Sequence, residues 1–587
     1  MTTDSILVLS VLALTIVTLL IDRWRASYVF GGAATILLVT GTIPVNEFLA
    51  GYSNASVITI FLLIILTSAV NSHFNLVGTF DKLYKGARSP RQFLIRMGIT
   101  VAGLSSVMNN TPIVAMMIPY VYQWGKKNSV SPSKLLIPLS YATILGGMIT
   151  VLGTSTNMIL IGFIQESGIA SPGIMDFLIP GVLVSIGGIV YILLFFKKLL
   201  PDNSDLIREV TENFKEYLVE TKVENGAALV GKTIQEAGLR NLDGIFLIEI
   251  IRNKIAMSPV SPDERVQKED RLFFAGEPEK VLELVRKIQG LTIPSHSELD
   301  IGDGMQVMES VIPANSGLIG ATLKEYAFRE NLDAAVIAIH RNGEKLRGKL
   351  GEIVLDKGDL LLISAGKTFL SKARSGKDLY IVSELSQTVE LPKRKKNLYL
   401  LGSTLILAGL PFGFYSLFVT LLLMLGLTLA FKMSNYDQMK KNISLDLLII
   451  LGSAMALSQA LIGSGAADWV SSGLSEWSAN MGKGSIIVLV YFATTLLTQF
   501  ITNAAAISVI FPLGLSMATH ANIELTGVFM AMAFGASCSF MTPVGYQTNL
   551  MVYGPGNYRF IDFIRFGLPL TIIYSGIVLA WLLFKYS

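Results

Sequence analysis

Two stretches of this 587-residue chain place amides and hydroxyls in the middle of otherwise apolar runs. In MNNTPIVAMMIP (108–119) they are Asn109, Asn110 and Thr111; in ITNAAAISVIFP (501–512) they are Thr502 and Asn503, followed by Ala504. Further along, GTSTNMIL (153–160) carries Thr156 and Asn157, and GYQTNLMV (545–552) carries Thr548 and Asn549. These residue types coordinate and solvate. A helix broken at such a cluster exposes free N–H groups at one end and free carbonyls at the other. The N–H ends favour anions, and the carbonyls, with Asn and Thr oxygens, can hold a small hard cation such as sodium. None of the four motifs contains Asp or Glu, so a site built from them accepts an anion without repelling it.

The motifs form a repeat. Asn110 aligns with Asn503 and Pro119 with Pro512, while Gly153, Thr156 and Asn157 align with Gly545, Thr548 and Asn549. Asn110 and Asn157 are 47 residues apart, Asn503 and Asn549 are 46 apart. One isolated Asn in an apolar helix would be a plain interhelical hydrogen bond as often as a site residue. Four clusters in matched order argue for a shared site.

The elements that must carry these clusters are membrane helices. Hydrophobic residues make up 51% of the chain and charged residues 15%, well below the roughly 25% of globular chains. Most of the charge lies between Lys197 and Lys396. Candidate spans are 5–22, 28–45, 54–71, 136–165 and 176–196, then 398–411, 415–431, 445–463, 524–551 and 563–584. The runs 97–123 and 485–519 are interrupted by polar residues at mid-depth and read as re-entrant hairpins, since irregular backbone is tolerated there only where it lines a cavity. Stretches 75–96 and 466–483 read as helices along the interface. With the N-terminus outside, Arg23, Arg25, Lys82, Lys85, Arg88, Arg91, Arg96, Lys126, Lys127, Lys134, Lys197, Lys198, Lys432, Lys440, Lys441, Arg559 and Arg565 all fall on the inner side, as the positive-inside rule asks. That path inverts the second half relative to the first. The N-terminal segment has Asp4 before its apolar core and Arg23 after it, the reverse of a signal peptide, and reads as a retained helix. The basic residues flank apolar segments, which fits membrane orientation and not nucleic-acid binding. Cys538 is the only cysteine, so no intrachain disulfide forms.

These residues resemble the divalent anion:sodium symporter (DASS) family of the ion-transporter superfamily, over both membrane halves. Asn109-Asn110-Thr111 and Thr502-Asn503-Ala504 stand where that family has its two hairpin-tip signatures, and TPVGYQTNLMVYGPG (542–556) is the most specific stretch. The resemblance implies a scaffold, a moving transport domain, sodium-coupled anion import by an elevator motion, and a homodimer. It implies one sodium site at Ser105, Asn110 and the Gly153 backbone. A second would lie at Thr498, Asn503 and the backbone near Val544 and Gly545. The anion would sit between the tips, at Asn109, Asn110, Thr111, Thr502 and Asn503, with Thr156, Asn157, Thr548 and Asn549 behind them. Asn109, Thr502 and Ala504 depart from the family signature. Losing the hydroxyl at Ala504 points away from a two-ended dicarboxylate and toward a compact inorganic anion, sulfate first.

Between the halves, LVGKTIQEAGLRNLDGIFLIEIIRNK (229–254) aligns with LIGATLKEYAFRENLDAAVIAIHRNG (318–343), and EDRLFFAG (269–276) with GDLLLISAG (358–366). Each copy reads as a small α+β unit, and the pair resembles tandem TrkA-C (RCK-C) domains, which implies a regulatory ligand or a dimer contact. No G-x-G-x-x-G follows a strand, so a nucleotide-binding half is not indicated. His340 reads as a surface strand residue, His73 as interfacial, and His296 and His520 as ordinary residues without partners.

The expectation is therefore an α-helical polytopic membrane protein with two inverted repeats, re-entrant hairpins and broken helices, plus α+β cytosolic domains. The divisions are 1–200 for the first repeat, 201–300 and 301–396 for the TrkA-C-like domains, and 397–587 for the second repeat. The setting is the inner (plasma) membrane, with 201–396 cytoplasmic. The function expected is sodium-driven symport of an inorganic divalent anion, with no organic cofactor. Dicarboxylates or other oxyanions are the alternative substrates. A channel is disfavoured because no TVGYG filter is present. An anion-sensing receptor would share the same site. An enzyme is disfavoured because the spans hold no Ser/His/Asp, Cys/His or metal-spaced cluster.

Overall fold

The computed structural model describes residues 2–21, 24–53, 86–203, 218–240, 245–253, 260–276, 278–292, 306–313, 316–341, 350–366, 368–375, 378–382, 392–409, 417–434, 445–478 and 484–587, with isolated positions between them. Most of the predicted span 54–71, with His73, Lys82, Lys85, His296, Lys440, Lys441 and the 300/301 boundary, lies outside the described residues.

Long apolar runs without breakers become helices because the backbone then satisfies itself. The first half gives α1 (Thr3–Ile21), α2 (Ala26–Val39) and α3 (Val45–Ser53), then α4 (Pro90–Ser105), α5 (Asn110–Lys127), α6 (Leu136–Gly147), α7 (Ser155–Glu166) and α8 (Ile174–Leu199). Among the described residues three helices are long and apolar enough to cross a bilayer, namely Ile174–Leu199, Asn503–His520 and Phe560–Tyr586. At 26 residues, α8 rises about 39 Å.

Boundaries shift where a local signal outweighs hydropathy. The predicted interfacial stretch 75–96 gives up its last residues to α4, because Ser89 accepts from Gln92 N–H (3.3 Å) and Pro90 fills the first helical turn. The predicted span 136–165 breaks after Gly147, passes a single 3-10 turn at Val151–Gly153 and restarts at Ser155. The hydroxyls of Thr150 and Thr154 cap the two restarts, accepting from Leu152 N–H and Thr156 N–H.

The region between the halves holds two five-stranded sheets. The first contains β1 (Leu218–Val223), β2 (Ile245–Arg252), β3 (Ile255–Met257), β4 (Arg271–Gly276) and β5 (Leu291–Thr292) in the order β3-β2-β4-β1-β5, with α9 (Pro278–Lys287) against it. The second contains β6 (Gln306–Val311), β7 (Ala334–Arg341), β8 (Glu344–Lys345), β9 (Leu360–Ala365) and β10 (Tyr380–Ile381) in the order β10-β6-β9-β7-β8. Its helices are α10 (Phe328–Leu332) and α11 (Phe369–Ser375).

The aligned residues of the two sheets make the same bonds. Arg252 forks onto Asp270 (both contacts 2.9 Å), and Arg341 onto Asp359 (both 2.7 Å). Both carboxylates are fully buried. Burial pushes the Asp359 carboxyl up, and Arg341 opposes that. Thr233 and Glu236 exchange side-chain–backbone hydrogen bonds, as do Thr322 and Glu325. His340 is half-buried on β7, not a surface residue as expected.

The second half gives α12 (Lys393–Ala408), α13 (Leu417–Ala430), α14 (Leu445–Gly463), α15 (Ala466–Ser478), α16 (Gly484–Leu497), α17 (Asn503–His520), α18 (Leu525–Ser537), α19 (Gln547–Tyr553) and α20 (Phe560–Tyr586). The predicted span 524–551 is broken like its counterpart, between Ser537 and Gln547. Helix α4 packs on α6 and α8 packs on both; α16 packs on α18 and α20 packs on both. Close approach requires glycine here. A Cβ on Gly181 would lie 2.5 Å from the Met148 carbonyl, and one on Gly567 would lie 2.1 Å from the Phe540 carbonyl. Helices α8 and α20 thus press directly on the two broken segments. The second sheet also touches this region, since Gly358 meets Leu550 and Gly554 meets Leu360. His520, expected to lack a partner, sits 3.4 Å from Asp468 on α15, which Ser516 also contacts (2.8 Å).

Candidate functional site

Helix α4 ends at Ser105 and α5 begins at Asn110, so the first polar cluster is the tip of a helical hairpin. The Ser105 hydroxyl lies between Asn110 Oδ1 and the Thr143 carbonyl, the latter at 2.7 Å. Two further carbonyls lie close to the Gly153 backbone. A Cβ on Gly153 would stand 2.5 Å from both Gly147 O and Ser105 O, and a Cβ on Gly147 would stand 3.0 Å from Asn110 Oδ1. Gly147 O is the last carbonyl of α6 and lacks an intrahelical donor. Hydroxyl, amide and carbonyl oxygens thus gather at this tip.

The second hairpin, between α16 and α17, repeats this. The Thr498 hydroxyl lies 2.8 Å from Asn503 Oδ1 and 2.7 Å from the Ala536 carbonyl. Ser539 Oγ stands 3.0 Å from it, and 3.3 Å from Asn503 Oδ1. A Cβ on Gly545 would lie 2.6 Å from Thr498 O and 2.9 Å from Thr542 Oγ1. Side chains in the breaks hold both cages. Thr150 donates to Ser106 O, and Thr542 to Gln499 O (2.7 Å). Asn157 Nδ2 donates to Thr150 O and Asn549 Nδ2 to Thr542 O, each at 3.1 Å.

The structure thus brings Ser105, Asn110 and Gly153 together, and likewise Thr498, Asn503 and Gly545. Val544, expected to contribute its backbone, has an exposed side chain. Asn157, Thr548 and Asn549 are fully or almost fully buried, with side-chain bonds to backbone or to Ser140 (2.8 Å to Thr548, 2.7 Å to Asn549). Their geometry braces the loops. Thr156 is buried beside Thr154 (3.2 Å). Thr502 caps α17, accepting from Ala505 N–H (3.3 Å). Asn109 is half-buried and makes no hydrogen bond to a described residue. Thr111 donates to Gln547 (3.1 Å), and Asn110 donates to the Tyr546 hydroxyl (2.5 Å).

Sequence reasoning missed Ser539, Thr143, Gly147, Thr150, Gln499, Tyr546 and Gln547. The carbonyl oxygens carry no side-chain signal. Thr150 and Thr542 were within reach, because they precede the two aligned glycines by the same three positions.

Electrostatically the region is open to anions. No acidic residue occurs between Met97 and Gln165, and only Glu524 between Gly484 and Tyr558. The N-terminus of α5 opens at one tip and that of α17 at the other, each contributing partial positive charge. A cavity of about 150 Å³ lined by Glu47, Gly51, Met455 and Gln459 lies elsewhere, between α3 and α14. Among the described residues no group of three His, Cys, Asp or Glu could hold a metal ion.

A family model described as citrate transporter matches residues 9–414 and 404–587. The chain belongs to that family. It is a transporter, not an enzyme, and a membrane protein of the ion-transporter superfamily, as the resemblance implied. A putative sulfur deprivation response regulator of Chlamydomonas reinhardtii is 33% identical, covering 92% of this chain and 95% of its own length. An uncharacterized transporter of Synechocystis is 32% identical over 92% of this chain and 90% of its own. Sodium/sulfate cotransporter 1 of Chlamydomonas reinhardtii is 24% identical over 92% and 85%.

Proposed function

We propose that this transporter is a sodium-coupled secondary active symporter that imports a divalent inorganic anion, sulfate first. The observation that carries the reading is the pair of matched oxygen cages. In each, neutral hydroxyl, amide and carbonyl oxygens gather at one hairpin tip, at Ser105/Asn110/Gly147/Gly153 and at Thr498/Asn503/Ser539/Gly545. Such a set of neutral oxygens suits a small hard cation. Two bound sodium ions would supply positive charge beside the hairpin tips, where Asn109, Asn110, Thr111, Thr502 and Asn503 would hold the anion.

Several further features belong to the same reading. The halves 1–200 and 397–587 are inverted repeats, moving substrate by an elevator motion. Residues 201–300 and 301–396 are cytoplasmic TrkA-C-like domains that bind a regulatory ligand or join a homodimer. The N-terminus is outside, and the membrane is the inner (plasma) membrane. The names of the sodium/sulfate cotransporter relatives support the anion and the cation. The family description favours a carboxylate instead, and the relative named a response regulator favours a sensor.

The test is uptake of labelled sulfate into proteoliposomes, with and without an inward sodium gradient. Sodium-stimulated uptake is expected. Uptake of citrate or a dicarboxylate but not sulfate would overturn the substrate. Anion binding without flux would overturn transport in favour of sensing.

A further inference from the structure

The loops that close the two cages carry different side chains. After Gly153 come Thr154 and Ser155; at the matching positions after Gly545 come Tyr546 and Gln547. Thr154 is small and caps its own helix. The second pair is long and crosses into the other half of the molecule. Asn110 Nδ2 donates to the Tyr546 hydroxyl at 2.5 Å, and that hydroxyl lies 3.4 Å from Thr154 Oγ1. Thr111 donates to Gln547 Oε1 at 3.1 Å. The break that builds the second cage therefore also sends two side chains to the tip of the first hairpin.

This has consequences for both donors and space. Asn110 is shared, with Oδ1 facing its cage and Nδ2 held by the phenol. The phenol oxygen accepts from Asn110, which leaves its proton only the long contact to Thr154. The Gln547 amide nitrogen has no acceptor among the described residues. Two donors thus stand beside the Asn110-Thr111 tip, where an oxyanion would need them. The aromatic ring also fills volume that a threonine at this position would leave open.

We infer that Tyr546 and Gln547 set which anions fit. They donate to a compact oxyanion and close off the room that the far carboxylate of an extended dicarboxylate would occupy. The inference rests on the anion-site reading above and adds its specificity determinant.

The test uses the purified full-length protein in sodium, with thermal stabilisation by sulfate or succinate and competition for sulfate uptake as readouts. Wild type should respond to sulfate and ignore succinate. Tyr546→Thr installs the residue of the first loop. It should raise the KM for sulfate about tenfold, as loss of one hydrogen bond to a charged group does, and should let succinate compete. Tyr546→Phe keeps the ring, so it should weaken sulfate while still excluding succinate. Gln547→Ala, at an exposed position, should weaken sulfate about three- to tenfold and serves should Tyr546→Thr not fold. Equal competition by succinate in wild type would overturn the inference. So would unchanged discrimination in Tyr546→Thr with sodium-dependent stabilisation intact, or unchanged sulfate affinity in Gln547→Ala. Failure of wild type to bind any of these anions would instead overturn the anion reading, and this inference with it.

Discussion

Replacing Gly153 with alanine tests the first cage with one methyl group. The added Cβ would stand 2.5 Å from Gly147 O and 2.5 Å from Ser105 O, where ordinary contact begins at 3.4 Å. Both partners are backbone atoms, so no side chain can rotate away, and the shortfall of about 0.9 Å must come from moving the α4 or α6 backbone. Forced overpacking of this kind costs roughly 1–3 kcal/mol, and the carbonyls that must move are the proposed ligands. If that cost is borne mainly by the ion-bound state, sodium affinity falls about 10- to 100-fold, since 1.4 kcal/mol is tenfold. The assay is sodium-dependent thermal stabilisation alongside the sodium dependence of sulfate uptake. Gly103→Ala is the control, because a Cβ there meets nothing within 4 Å. Unchanged sodium affinity in Gly153→Ala would refute the assignment of Gly147 O and Ser105 O as ligands.

Two further predictions concern the sheets. Arg341→Met leaves the buried Asp359 carboxylate unpaired and should destabilise the second sheet by about 3 kcal/mol, read as faster hydrogen exchange in β6 and β9 with β1 and β4 unaffected. Glu249 is buried on β2 with neither carboxylate oxygen hydrogen-bonded among the described residues, and burial pushes its carboxyl up to about 6. The folded state therefore binds this proton more tightly than the unfolded state. Its contribution is fully present below about pH 4.5, the ordinary value, and is lost as pH rises through 6, amounting to about 1–2 kcal/mol. Glu249→Gln should remove that pH dependence, and a wild-type first sheet whose exchange protection did not fall between pH 4.5 and 6 would contradict the account.

Much of the site was legible because membrane-depth polarity is expensive. Asn110 and Asn503 interrupt apolar runs at matched positions, where an amide is costly unless it is hydrogen-bonded. The glycines and threonines of 153–157 and 545–549 carried the second signal. Hydropathy alone ran the spans 136–165 and 524–551 on as continuous; their breaks were signalled by the GTSTN and TPVGYQTN motifs. The breaks depend on caps from Thr150 and Thr154 in the first, and on Thr542 closing onto Gln499 O in the second. The insert was legible in its pairs: the aligned Asp270 and Asp359 each take a fork from the aligned Arg252 and Arg341.

The sequence by itself determined that paired Asn and Gly positions recur at matched spacing in two apolar halves, and that none of them is acidic. Alternation and periodicity are local, so they survive without coordinates. Only the tertiary structure decided which oxygens converge. Carbonyls of Thr143, Gly147 and Ala536 bear no residue-type signature, and Tyr546 lies 436 positions from the Asn110 amide it accepts from. Contacts of that kind follow from how close two backbones can approach, and Gly147, Gly153 and Gly545 permit that approach only once the helices are packed.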